Sequence, residues 1–406
     1  MSHFIDAEIH GLAGKTSPTK TVFDRHLTII YELNGSGKTS LLRILHSAMT
    51  GDAASLRNVP FSSATVRFWS AFNQATYTRT IDKSMVGEPV ATTTRMPPPT
   101  RQAGILRRLA SKPERGWTET VEQDGLFDSI GPKKGESELD SFDHRYLPTT
   151  RLYVGAPQEQ MSLWGNVSLA SVGTGTSLTE ETLDKNFADA LGSLWTSYTS
   201  EVGRSVRAAQ AKGLANILKA VMSGPKSTLA AEPSLDLQRA YESVKQFLER
   251  QGSPAVLGTF AKFSNRYESD QSLQAVVHDI YSVEREVERA TEPQRQLERL
   301  VHRLYSGNKR VIFTEESILV ESITGERIGL ESLSSGEKHL IRMFVECLGA
   351  GPNAILIDEP EISVHIDWQR ELMEILHSLN KDAQFIVATH SPEIMAEIAD
   401  ERLLSL

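Results

Sequence analysis

Leu27-Thr28-Ile29-Ile30-Tyr31 is an apolar run, and Asn34-Gly35-Ser36-Gly37-Lys38-Thr39 follows it almost at once. The run reads as the end of a strand over 22–31, and Lys38 to Met49 reads as a helix. Strand, glycine loop, helix is the setting that a phosphate-cradling loop needs. Glycine accepts the tight turn and the close approach, so the N–H groups of Gly35, Ser36 and Gly37 can wrap phosphate oxygens. Asn34 opens this loop. Lys38 is placed to reach the β- and γ-phosphates, and Thr39 to set its hydroxyl on Mg²⁺. Ser40 extends the first helical turn, whose positive end faces the phosphates. One residue departs from the usual pattern: Glu32 stands five positions before Gly37, where a glycine is expected. A carboxylate there opposes phosphate binding unless it points away or meets a cation.

The complement of this loop lies at the far end of the chain. Leu333-Ser334-Ser335-Gly336-Glu337-Lys338 comes first, then Ile355-Leu356-Ile357-Asp358-Glu359-Pro360, then Ala388-Thr389-His390-Ser391. Asp358 ends an apolar strand, where a carboxylate can join the Mg²⁺ shell. Glu359 is the candidate general base that polarises water for attack on a γ-phosphate. Ser335 and Gly336 read as a turn before a helix that begins near Glu337. A serine hydroxyl and helix N-terminal N–H groups suit a γ-phosphate. His390, after a second apolar strand, is a candidate contact to the same phosphate. Residues 149–156 read as another strand, and Gln158 just after it is the candidate glutamine that senses Mg²⁺ and water, with Gln160 competing for that role. The expected cofactors are ATP and Mg²⁺.

The 406 residues carry 43 basic and 52 acidic side chains, a net charge of −9. That balance argues against bulk electrostatic binding of nucleic acid and leaves room only for a local patch. Arg95, Arg101, Arg107, Arg108, Lys112 and Arg115 form such a cluster against Glu114. It reads either as a grip for DNA or an acidic protein, or as a solvated charged loop. Cys347 is the only cysteine. No disulfide framework and no four-cysteine zinc site can form within one chain, which suits a reducing cytoplasm. No apolar run reaches the roughly 18 residues of a membrane span, and no basic-then-apolar leader is present. The expected location is cytoplasmic, with no membrane partner.

Between the two ends the pattern changes. Residues 4–12 read as a strand, 64–81 and 117–123 have strand content and suggest a small antiparallel sheet, and 84–101, with Pro97-Pro98-Pro99, reads as a loop. Residues 180–305 look helical almost throughout. Val276, Ile280, Val283, Val287, Ala290, Gln294, Leu297, Val301 and Leu304 alternate spacings of four and three, a heptad-like seam. Leu237, Tyr241, Val244 and Leu248 repeat the pattern upstream. The seam fits a short antiparallel arm, with a long helix of about 29 residues spanning about 43 Å, or the core stripe of a compact helical lobe. Pro293 is expected to kink that helix. From Val311 the chain returns to α/β alternation, and Leu403-Leu404-Ser405-Leu406 reads as a last strand.

In this order the motifs resemble those of ABC-class ATPases, in the branch of chromosome-maintenance and overcoming-lysogenization-defect (OLD) proteins. Glu359-Pro360-Glu361-Ile362-Ser363-Val364-His365 followed by Trp368-Gln369 is especially similar to the OLD-like branch, as is Ala388-Thr389-His390-Ser391-Pro392. The resemblance implies an α/β fold: an ABC-type ATPase head with a mixed parallel core sheet and an antiparallel β subdomain, interrupted by a mostly helical insertion. Residues 1–165 and 311–406 are the expected halves of the head, and 166–310 the insertion, an arm or an oligomerisation lobe. It further implies a head-to-head dimer in which Ser335, Gly336 and Glu337 of one copy complete the other copy's ATP site. Ile362 to His365 would then form the loop crossing that interface. Transporter ATPases usually have aspartate where His365 stands, which weakens a transporter reading. Many OLD proteins continue into a Toprim nuclease, for which this chain ends too soon. Stand-alone relatives resemble the ATPase subunits of antiphage systems such as PARIS and Septu, which work with a separate nuclease or toxin. The expected function is an ATP-hydrolysing switch that controls such an effector on a phage-protein or DNA trigger. Two other readings stand beside it: a scaffold held together by ATP with incidental turnover, and a DNA-repair or chromosome-associated ATPase.

Overall fold

The structure is a computed structural model and describes residues 2–86, 116–122, 142–149, 180–223, 236–250, 252–253, 256–305 and 309–406. The elements begin with β1 (His3–His10), β2 (Thr19–Val22), β3 (Leu27–Tyr31), α1 (Lys38–Thr50), β4 (Ser63–Ser70), β5 (Ala75–Asp82), β6 (Trp117–Glu122) and β7 (His144–Leu147). Then come α2 (Glu180–Ser223), α3 (Leu237–Arg250), α4 (Phe260–Ser269), α5 (Gln271–Leu304), β8 (Lys309–Phe313), β9 (Ile318–Ser322) and β10 (Arg327–Ile328). The chain closes with α6 (Ser335–Gly349), β11 (Ala354–Asp358), α7 (Ile366–Leu379), β12 (Gln384–Thr389), α8 (Pro392–Met395) and β13 (Leu403–Ser405). Two units form, Met1–Leu191 with Gly329–Leu406, and Gly192–Ile328.

The first unit holds two sheets. One has the order β13-β3-β12-β11-β7, and every pairing in it is parallel. Every residue of β11 and β12 is buried, which is why their sequences are mainly continuous apolar runs. The other sheet, β2-β1-β4-β5-β6, is antiparallel. Leu41, Leu45 and Met49 of α1 share one core cluster with Phe4, Ile9 and Phe68 of the antiparallel sheet and with Ile30, Leu356 and Ile386 of the parallel one. Helix α1 is therefore apolar well beyond a single stripe. Gln384 ties the sheets together: its buried amide donates to the Phe4 and Asp24 carbonyls, both at 2.9 Å, and accepts from Phe4 N–H at 2.8 Å.

Register aligns the strand ends. Asp358 lies opposite Ala388, Ala388 opposite Ile30, and Ile30 opposite Leu404. The glycine loop, the Asp358-Glu359 pair and His390 consequently leave the sheet from one edge, the carboxyl edge where open parallel sheets bind ligands.

Three expectations change in detail. The strand read over 22–31 is two strands, because the Asp24 carboxylate accepts from His26 N–H and Leu27 N–H at 2.9 Å each and turns the chain between them. The strand that flanks β11 is His144–Leu147, which the sequence reading left unassigned. Residues 150–156 of the strand expected over 149–156, Gln158, Gln160 and the basic cluster Arg95–Arg115 lie outside the described residues. Helix α5 has 34 residues and runs on through Pro293 without a break. Arg289, one turn back, is exposed, so the carbonyl that proline leaves without its donor can meet water.

The second unit is helical, with the antiparallel sheet β10-β9-β8 beside the helices in sequence. Ala240 and Val244 of α3, Phe263 and Tyr267 of α4, and Val277 and Ile280 of α5 form its main cluster. Val283 and Val287 pack on Val206 and Ala209 of α2. Ile280, Val283 and Val287 of the heptad-like seam are thus buried within the unit.

Candidate functional site

At the edge of the parallel sheet, residues from four segments converge. Gly35 and Gly37 hold φ of 84° and 103°, values that side chains resist. Gly37 has a second constraint, since a Cβ there would stand 2.9 Å from Leu12 Cγ. Gly37 also caps α1 without a side-chain bond, so the first N–H groups of that helix are left for an anion. Asn34 is exposed in the loop, and Ser36 Oγ is buried with no hydrogen bond among the described residues.

Lys38 is buried. Its Nζ donates to Glu32 O at 2.6 Å and Leu33 O at 3.3 Å, and lies 3.4 Å from His390 Nδ1. An ammonium only donates, so Nδ1 accepts and the imidazole proton sits on Nε2. That nitrogen faces Glu359 Oε1 at 3.7 Å. Lys38, His390 and Glu359 form one row. Burial pushes the Lys38 ammonium below its ordinary range, against the pull of nearby carboxylates. Glu359 moves the other way: burial and then the like charges of Asp358 and Glu361 raise its carboxyl. Such a group is poised to accept a proton closer to neutrality than a free glutamate.

Thr39 Oγ1 donates to Asp358 Oδ1 at 3.1 Å. Asp358 is buried, and its Oδ2 makes no hydrogen bond among the described residues. Burial raises this carboxyl, with the hydroxyls of Thr149 and Thr39 opposing in part. A buried carboxylate oxygen left open beside a threonine hydroxyl fits a hard divalent cation. Among the described residues no group of three or more His, Cys, Asp or Glu is placed to hold a metal. A Mg²⁺ ion shared by one carboxylate, one hydroxyl and phosphates needs none.

The Glu32 carboxylate is tied to the last strand while remaining within electrostatic reach of Lys38. Its carboxylate accepts from Ser405 Oγ at 2.6 Å and Leu33 N–H at 3.3 Å, and the Ser405 bond holds it below the usual carboxylate range. The departure from glycine is absorbed by the last strand of the sheet.

Helix α6 begins at Ser335, two residues before the expected start. Ser334 caps it: its hydroxyl accepts from Glu337 N–H at 3.3 Å while Glu337 Oε2 accepts from Ser334 N–H at 2.6 Å. This reciprocal capping box spends the Glu337 carboxylate on the helix end. Gly336 packs face-on against the loop after Glu359, where a Cβ would stand 2.3 Å from Ser363 O. Only glycine allows that approach. Glu359 and Ser363 bracket the loop with φ of 52° and 63°, an outlying conformation for both residue types. Sequence reading missed Thr149, whose Oγ1 donates to Asp358 O at 3.3 Å, and Ser405.

Comparison with known proteins follows this geometry. Residues 238–396 match the family model described as "AAA domain, putative AbiEii toxin, Type IV TA system". That span includes Ser335, Asp358, Glu359 and His390 and starts well beyond Lys38. An AAA-type domain implies nucleotide binding. The "Retron Vc95 probable ATPase" of Vibrio cholerae serotype O1 biovar El Tor is 28% identical over 92 residues, 20% of this chain and 18% of that protein. The chain thus matches under a fifth of that relative's length. Among solved structures, the Smc head domain with an extended coiled coil from Pyrococcus furiosus matches with TM-score 0.40 at 14% identity, over 98% of this chain and 92% of that one. The Smc head from Pyrococcus yayanosii gives 0.41 at 11%, over 100% and 95%. Among the described residues, no helix is long and apolar enough to cross a membrane.

Proposed function

We propose that this chain is an ATP-hydrolysing switch subunit. The observation that carries the reading is the meeting of Lys38, Thr39, Asp358, Glu359 and His390 at one sheet edge, with Thr39 Oγ1 and Asp358 Oδ1 at 3.1 Å. Gly35 to Ser40 would hold the triphosphate and Thr39 and Asp358 the Mg²⁺, which neutralises phosphate charge when bound. Glu359 would take the proton of the attacking water, and His390, whose Nε2 faces Glu359 Oε1 at 3.7 Å, would contact the γ-phosphate. Ser335 and Gly336, at the start of α6, would serve the site of a second copy, making the working form at least a dimer. The tie of Glu32 to Ser405 supports turnover over an ATP-held scaffold, because it engages the carboxylate that replaces the expected glycine. The retron-named relative and the toxin-linked family description support control of a separate effector, a nuclease or toxin, in antiphage defence.

Subunit mixing tests the shared site. Lys38→Ala and Ser335→Arg should each abolish Mg²⁺-dependent hydrolysis. Mixed, they form some dimers with one intact site, and part of the activity should return. No recovery despite demonstrated subunit exchange would mean that Ser335 does not act across copies. Absence of ATP binding by the unaltered protein would overturn the reading as a whole.

A further inference from the structure

We propose that Glu361 and Gln369 are positioning residues that lock the turn carrying His390 to the loop Glu359–His365, so that the two move as one body. This rests on the nucleotide-site reading above. Glu361 Oε1 accepts from His390 N–H at 2.6 Å. Gln369, in the first turn of α7, works from the other side. Its Nε2 donates to Val364 O at 2.9 Å and Glu361 O at 3.4 Å, while its Oε1 accepts from Ser391 Oγ at 2.6 Å. One planar amide thus donates to the loop through Nε2 and accepts from the turn after β12 through Oε1.

Inside the loop, Ile362 N–H donates to Glu359 O at 3.2 Å and Val364 N–H to Glu361 O at 3.0 Å. Its far side meets Gly336 through Ser363 O. Ser363, His365 and Ile366 are exposed. A displacement of that exposed rim has two rigid paths inward, one to Glu359 through the backbone and one to His390 through Glu361 and Gln369. A second copy docking on the rim would then set the Glu359–His390 geometry and gate hydrolysis.

The test has two arms. Without nucleotide, hydrogen exchange in Glu361→Ala and in Gln369→Leu should rise by about tenfold in both segments, 361–366 and 389–392. Faster exchange confined to the altered residue's own segment would overturn the lock. In steady state each variant should lose about tenfold in kcat with KM for ATP and Tm little changed, since positioning acts on the transition state. Glu361→Gln should recover most of the rate, because its amide oxygen still accepts from His390 N–H. Gln369→Glu should not, because a carboxylate cannot donate to Val364 O. Equal loss in Glu361→Gln, or a loss confined to KM or Tm, would overturn the proposal. A wild-type protein that turns over no ATP would sink the nucleotide reading, and the exchange arm would still decide the lock.

Discussion

The helical lobe and the strand-edge site bury polar atoms under opposite rules. In the lobe, the buried Glu284 Oε2 also makes no hydrogen bond among the described residues, but Arg250 Nη1 lies 2.8 Å away as its ion-pair partner, and the clusters around it are apolar. At the strand edge, Ser36 Oγ, Asp358 Oδ2 and Glu361 Oε2 are buried without a hydrogen bond among the described residues. Two non-glycine residues there also hold positive φ. Unmet polar atoms and outlying backbone cost stability and persist where something else is to meet them. The contrast separates a region closed by packing and an ion pair from one that, among the described residues, leaves buried polar atoms unpaired at a strand edge.

The strongest test of that contrast is Glu359→Gln. Hydrolysis should fall by at least about 100-fold, because the amide cannot take the water's proton. ATP binding should persist and ATP-bound dimers should accumulate in light scattering. Turnover at the wild-type rate would remove Glu359 from its role. The lobe is probed by Ile280→Asp with Val287→Asp. Each buried unpaired charge should cost about 3 kcal/mol or more, seen as a large fall in Tm by circular dichroism. A folded variant that only loses self-association would turn the seam into an interface.

A smaller effect lies beneath the site. His46 Nδ1 and His144 Nε2 are 2.7 Å apart, and His144 Nδ1 lies 2.9 Å from Phe142 O. With both rings neutral, His144 donates to that carbonyl and accepts from His46. Burial is the main cause that pushes His46 down to about 3 and His144 to about 4. The unfolded chain takes up protons below pH 6.5 that the folded one refuses, so stability falls as pH drops from 6.5 toward 4. At pH 5 the loss should be about 2 kcal/mol per imidazole. Denaturant melts of wild type and His46→Gln at pH 7 and 5 should differ, and equal pH slopes would refute the pairing. The smallest effect belongs to Ser405→Ala. Freed from its hydroxyl partner, Glu32 should raise KM for ATP by about two- to threefold, less than one hydrogen bond's net worth. An unchanged KM would show that Glu32 never opposes phosphate.

Much of the site was legible because its chemistry is local. A strand, a glycine loop and a helix start can be read from neighbours, and so can an apolar run ending in Asp358-Glu359. The capping box at Ser334 and Glu337 was also readable from its spacing, and would have placed the helix start correctly. The strand His144–Leu147 was obscured by its polar residues, two of which, His144 and Arg145, find partners only after folding: His46 for the one, the Gly349 carbonyl for the other. Ser405 and Glu32 were unreadable for the same reason, since 373 positions separate them. The seam was visible as a period. Whether it faced inward depended on α2 and α4, which no period within α5 can report.

The order β13-β3-β12 has a consequence for synthesis. Strand β3 leaves the ribosome long before its neighbours, both of which come from residues 384–405. Until those are made, Leu27–Tyr31 has two open edges and an apolar face, and the emerging chain is a natural client for a chaperone. A chain released before residue 384 should aggregate, however well its helices form.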